Sequence, residues 1–342
     1  MNKKHIVLTG MAAVFAAAML MLASCSQKDA WNTDFDTAKN IAEKKNKNIF
    51  LLFSGEDWDE HSAALKASVL NTKEFKKQIA PSYVLAVVEL SQSEYARTVV
   101  DNSATEEQKK EAERLTAEYA KKEALLQQYY VESFPAMYIL SPEGYVLATV
   151  PYSETLTSVQ DLSAQLESQQ EIISTVSDAI ATAKKASGTD KAVALDALYE
   201  LTQENFRPIL TDVVSEIPAL DPENVTGLVG KYELINGYAA AIEKLMKDND
   251  IDGAVRVFTG LCDSSNISNA QKQEALYTAA FMLARTGSQD YDTMTSLLEQ
   301  AIAFEPENDI VKEIETTIQA IQDMKKKILE MQAGTEAPAG NS

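Results

Sequence analysis

The chain has 342 residues, 45% of them apolar and 24% charged, the composition of a globular protein and a length that suits two domains. Its formal net charge of −20 argues against nucleic acid and against anionic headgroups as partners, since both would repel it.

In chain order, Asn2, Lys3, Lys4 and His5 form a basic start, followed by an apolar run from Ile6 to Leu22 broken only by Thr9 and Gly10. The run shows no polar face at helical period, so it is not a core helix of a soluble domain. Leu22, Ala23, Ser24 and Cys25 close it, and this ending resembles the lipobox of bacterial lipoproteins. The resemblance implies a signal peptide at 1–24, cleavage before Cys25, and lipid on its thiol and new amino terminus. Two or three acyl chains hold a protein on a membrane far better than one. Ser26 and Gln27 put no acid at the second mature position, which points to outer-membrane sorting. Removing Lys3 and Lys4 would take the net charge to −22.

Residues 25–32 read as a polar tether. Asp34 and its neighbours can cap a first helix whose face is Phe35, Ala38, Ile41 and Ala42. Ile49 to Phe53 is a continuous apolar run of the kind that forms a strand buried on both faces. The spacing then predicts a helix over 62–79, a valine-rich strand over 83–90, and a long charged helix over 103–128 with Ser103 and Glu106 in capping-box spacing. Met137–Leu140, the turn at Pro142, Glu143 and Gly144, and Tyr145–Val150 give a β-hairpin signal. Strands and helices in this order imply an α/β domain. From Val159 onward only helical periodicity remains: a connecting helix over 159–187, helices over 188–331, and a disordered tail over 332–342.

Residues 31–152 resemble a thioredoxin-like domain of the extracytoplasmic type. The family's Gly-x-Asp-Trp-Cys-x-x-Cys segment corresponds here to Gly55, Glu56, Asp57, Trp58, Asp59, Glu60, His61 and Ser62, with Leu65 matching a leucine three residues on. Val131, Phe134, Pro135 and Ala136 correspond to a segment whose proline is cis and lies beside the redox motif. The resemblance implies the fold over 31–158. It also exposes what is missing, because both redox cysteines are replaced, by Asp59 and Ser62. Disulfide exchange needs one thiolate to attack and a second thiol to resolve, and neither replacement can serve. The acid that assists proton transfer in many relatives falls on Phe53 by gapless count. Since lipid would consume Cys25, Cys262 is left as a lone thiol with no intramolecular disulfide. It lies at a helix end beside Leu261 and reads as a buried small apolar residue.

Glu56, Asp57, Asp59, Glu60 and His61 are five ionisable groups at a helix start; a cation site and a solvated acidic helix start both fit them. His5 leaves with the signal, so His61 alone cannot build a triad or a multi-histidine metal site. What the resemblance leaves in place is a peptide-receiving edge, with Trp58, Phe134 and Pro135 as candidate contacts.

The helical region carries an internal echo. Ala275 to Asn308 spans 34 residues and, with Ala279, Ala280, Gly287, Tyr291 and Pro306, resembles a tetratricopeptide repeat. Residues 231–262 read as another helical hairpin, and Ile310, Ile314, Ile318, Ile321 and Ile328 suit a terminal helix. Asp248, Asp250, Asp252 and Gly253 match the opening of an EF-hand loop, a weak calcium candidate, because Thr259 stands where the bidentate carboxylate belongs and Arg256 at position nine. The expectation is a lipid-anchored, non-enzymatic protein- or peptide-binding scaffold without a cofactor, in the cell envelope. The alternative is a thiol-disulfide or chaperone-type auxiliary that relies on a partner's thiols.

Overall fold

The structure, a computed structural model, describes residues 31–335. The expected signal segment 1–24, the lipid site Cys25 and residues 26–30 lie outside the described residues, as do 336–342.

The first unit is a five-stranded mixed sheet in the order β1-β3-β2-β4-β5. Its strands are β1 (Trp31–Asn32), β2 (Ile49–Ser54), β3 (Val84–Glu89), β4 (Ala136–Leu140) and β5 (Val146–Val150). β2 is buried at every position, as a strand covered on both faces must be. It runs parallel to β3 in a register from Ile49 opposite Val84 to Ser54 opposite Glu89, and antiparallel to β4. Trp31 and Asn32, expected in the tether, instead form the edge strand β1, parallel to β3. Trp31 holds this edge by stacking on Phe75 with ring centroids 6.0 Å apart.

Helix α1 (Phe35–Lys45) starts at Asp34, whose carboxylate accepts the Thr37 N–H at 2.6 Å, and ends at Asn46 in the left-handed conformation, φ 48°. The helix expected over 62–79 is in fact broken. α2 (Glu60–Leu65) passes into a π-helical turn, Lys66–Leu70, and α3 (Lys73–Gln78) restarts at Thr72. The break is local chemistry: the Thr72 hydroxyl donates to the Val69 carbonyl at 2.6 Å and accepts the Phe75 N–H at 3.1 Å. A short helix α4 (Gln92–Tyr95) precedes α5 (Glu106–Gln128). The capping box of α5 is Thr105 with Gln108, not Ser103 with Glu106. Asp101 already takes both the N–H and the hydroxyl of Ser103. The hairpin turn between β4 and β5 closes through Gly144 at φ 95°, whose carbonyl accepts the buried Tyr129 hydroxyl at 2.9 Å.

The expected connecting segment 159–187 is two helices, α6 (Val159–Ser168) and α7 (Gln170–Lys185), and the two compact units divide within α7, between Thr175 and Val176. The second unit is all-helical: α8 (Gly188–Leu201), α9 (Thr211–Leu220), α10 (Val229–Asp248), α11 (Ile251–Leu261), α12 (Asn269–Arg285), α13 (Tyr291–Phe304) and α14 (Val311–Thr335). From α8 to α14 each helix packs on the next in the chain. Alanines at the crossings let the axes approach: Ala241, Ala254, Ala275, Ala279, Ala280 and Ala301 are all in the core with Phe258, Leu276, Leu297 and Leu298. α14 runs to Thr335, past the expected end at 331, because Gln332 and Ala333 are good helix formers and no breaker precedes Gly334. Among the described residues no helix is long and apolar enough to cross a membrane.

Candidate functional site

The candidate site begins where β2 ends. Ser54 and Gly55 lead out of the sheet, and the chain turns through Glu56, Asp57 and Trp58 into α2. Asp59 is the N-cap of α2: its Oδ2 accepts the Ser62 N–H at 2.7 Å. Ser62 is buried, and its Oγ accepts the Gly55 N–H at 3.2 Å. Asp59 and Ser62 thus close the loop on itself, one as a helix cap and the other as an acceptor for an otherwise orphaned amide. Phe53, on the preceding strand, is fully buried among Tyr129 and Tyr138.

Trp58 is 47% exposed yet fixed. Its indole N–H donates to the Leu90 carbonyl at 2.5 Å, and its ring lies directly on Gly55, where a Cβ would come within 2.3 Å of it. Phe134 meets it edge-to-face, with ring centroids 5.3 Å apart. Phe134 is half-buried, Pro135 is buried, and the bond between them is cis. The structure therefore brings Trp58, Phe134 and Pro135 together beside Asp59 and Ser62. It adds Tyr152, whose hydroxyl lies 3.4 Å from His61 Nδ1, and Leu90, whose carbonyl pins the indole. Neither addition was legible locally, since they arrive from 91 and 32 residues away.

The carboxylates at this helix start disperse rather than converge. Asp57 accepts the Ser91 hydroxyl and the Gln92 and Ser93 amides at 2.7–3.0 Å, which caps α4 and holds its pKa well below the ordinary 3.8. Glu56 and Glu89 share the Lys66 ammonium at 2.8 and 2.5 Å. Burial opposes that charge, but the two hydrogen bonds outweigh it and keep the Lys66 pKa raised. At the 248–253 turn, Asn249 takes φ 50° and Asp250 caps α11 through the Gly253 N–H at 2.7 Å. Lys244 approaches Asp248 and Asp250 at 3.5 and 3.9 Å, and Arg256 approaches Asp250 at 3.8 Å. Among the described residues no group of three or more His, Cys, Asp or Glu side chains is placed to hold a metal. Cys262, expected to be buried, is half-buried at the end of α11 with its Sγ 3.9 Å from the Phe258 carbonyl oxygen, because a helix end packs on one side only; burial pushes its thiol pKa up.

Residues 35–170 match the family model of a thioredoxin-like domain. The first unit is a thioredoxin-like domain. Residues 228–327 match a second model, described as an uncharacterised protein C-terminal domain. An uncharacterized protein of Treponema pallidum (strain Nichols) is 26% identical over 197 residues, 58% of this chain, and the alignment spans 65% of that relative's length. A DsbH oxidoreductase structure aligns at 22% identity with a TM-score of 0.31, covering 41% of this chain and 83% of that one.

Proposed function

We propose that this chain is a redox-inactive thioredoxin-like protein, anchored in the cell envelope through lipid on Cys25, that binds protein or peptide segments. One observation carries the loss of redox chemistry: Asp59 and Ser62 occupy the two thiol positions and are spent on the helix cap and the Gly55 amide. With no thiolate there, no mixed disulfide can form and none can be resolved. Cys262, in the helical unit, has a thiol pKa raised by burial, which lowers its nucleophilic fraction.

Binding is favoured by the exposed Trp58 against Phe134, an aromatic surface already held in place and therefore cheap to bind in entropy. The sequential packing of α8 to α14 supports reading the second unit as a tetratricopeptide-like array, a form that presents extended protein-binding surfaces. The small residues of the Lipobox-like stretch before Cys25, and the absence of an acid after it, favour an outer-membrane lipoprotein.

An insulin-reduction assay with dithiothreitol tests the redox part. The protein is expected to match both its Cys262→Ala variant and the protein-free control. Reduction by the unaltered chain that Cys262→Ala abolishes would overturn the proposal.

A further inference from the structure

The charge of the thioredoxin-like unit is uneven along the strand axis, although Lys66 and Lys122 lie among the acids, paired with Glu56, Glu89 and Glu94. The C-terminal ends of β2 and β3 carry the acids of the candidate site, Glu56, Asp57, Asp59, Glu60 and Glu89, followed by Glu94. The opposite pole carries exposed lysines: Lys44, Lys45 and Lys47 at the end of α1, and Lys73, Lys76 and Lys77 on α3.

Three contacts bring those lysines to one end of the sheet. Lys47 Nζ donates to the Pro81 carbonyl at 2.5 Å, and the Val84 N–H donates to the Asn48 carbonyl at 2.9 Å, so the loops entering β2 and β3 lie side by side. Trp31 lies flat on Phe75, which places α3 beside the first described residue of the chain. Among the described residues none of these six lysines forms an ion pair, whereas Lys66 at the other pole holds two glutamates. Glu43 and Glu74 lie on the same elements, Glu74 already bonded to Gln78 and Gln160, and Glu143 and Glu167 border the region; the lysines outnumber them.

Position gives this pole its meaning. Cys25 precedes Trp31 by six residues, a reach of at most about 20 Å for an extended chain. Trp31 pairs with Leu85 near the start of β3, so a lipid on Cys25 lies nearer the lysine pole than the acidic one. At physiological salt charges are screened beyond about 8 Å, so the nearby lysines govern there and the distant acids do not, despite a net charge of −20.

We propose that the lysine pole rests on anionic phospholipid headgroups and turns the Trp58–Phe134 surface away from the bilayer, an inference that rests on the anchoring proposed above. The acyl chains supply the affinity; the lysines set the orientation. Composition alone counted against anionic headgroups, because a sum of charges hides how they are arranged.

The test uses the chain from Cys25 onward with Cys262→Ala, coupled through Cys25 to a maleimide lipid in phosphatidylcholine vesicles with or without phosphatidylglycerol. Lysine acylation is read residue by residue by mass spectrometry. Labelling at the six lysines is expected to fall about threefold or more on the anionic vesicles. It should recover at all six in high salt, and at the two that remain, Lys47 and Lys73, in a chain carrying Lys44→Glu, Lys45→Glu, Lys76→Glu and Lys77→Glu, with Lys110 unchanged throughout. Equal labelling on both vesicles, or protection that survives high salt, would overturn the proposal. The anchor is read separately: an unmodified Cys25 in the mature protein from cells would remove that premise and leave the vesicle result standing.

Discussion

Asp59 and Ser62 satisfy the amides of Ser62 and Gly55, which the turn out of β2 and the start of α2 would otherwise leave unpaired. Asp59→Ala is therefore expected to cost about 1 kcal/mol, the usual worth of an N-cap, while Asp59→Asn stays near neutral; urea unfolding measures both. Introducing two cysteines at these positions would remove both contacts at once. Gly55 is a tighter constraint, because any Cβ there strikes the Trp58 ring at 2.3 Å. Gly55→Ala should displace the indole and break its hydrogen bond to Leu90, seen as a red-shifted tryptophan emission relative to the unaltered chain. At this scale the sequence shows which residue types stand at the motif, and Asp59 with Ser62 already argued against thiol chemistry. It does not show that Trp58 is pinned, because the Leu90 carbonyl and the Phe134 ring belong to distant segments.

Among the elements, those with strong periodicity were legible and those decided by a local competition were not. Ile49–Phe53 reads as a buried strand because five apolar residues in a row can only be covered from both sides. The break at Thr72 and the cap at Thr105 turn on which partner a hydroxyl or amide finds, and several neighbours offer one. The helical hairpins depend on close approach. Gly230, on α10, lies against the Asn266 carbonyl, where a Cβ would sit 2.0 Å from the oxygen; the atoms nearest a Cβ on Gly237 belong to the Leu261 side chain, from 2.7 Å. Backbone yields less than a side chain. Gly230→Ala is therefore expected to destabilise the protein by about 1–3 kcal/mol and Gly237→Ala by less, as read from their denaturant midpoints.

For the whole molecule, acid is the revealing perturbation. Asp34, Asp57, Asp161, Asp221 and Asp290 all have pKa values below the ordinary 3.8, Asp57 through hydrogen bonds to the distant Ser91–Ser93 segment and the others through hydrogen bonds to their own turns or caps. Their folded values lie below their unfolded ones, so the stability they give is complete above the unfolded value and is lost as pH falls toward the folded one. The stability advantage of the unaltered chain over Asp57→Asn should therefore hold from pH 7 to about 5 and shrink below 3.8; a constant gap would mean that the carboxylate charge is irrelevant. General relief of the −20 charge acts nearly alike on both chains, so their difference isolates this residue. The sequence by itself determined the α/β-then-helical order and the presence of Asp59 and Ser62 rather than cysteines at the start of α2, because apolar periodicity and residue identity are local properties. Only the tertiary structure decided that Tyr152 meets His61, that Trp31 forms an edge strand, and that six lysines gather at the end of the sheet opposite the candidate site. Those facts depend on strand order and direction, which bring together residues that no spacing along the chain connects.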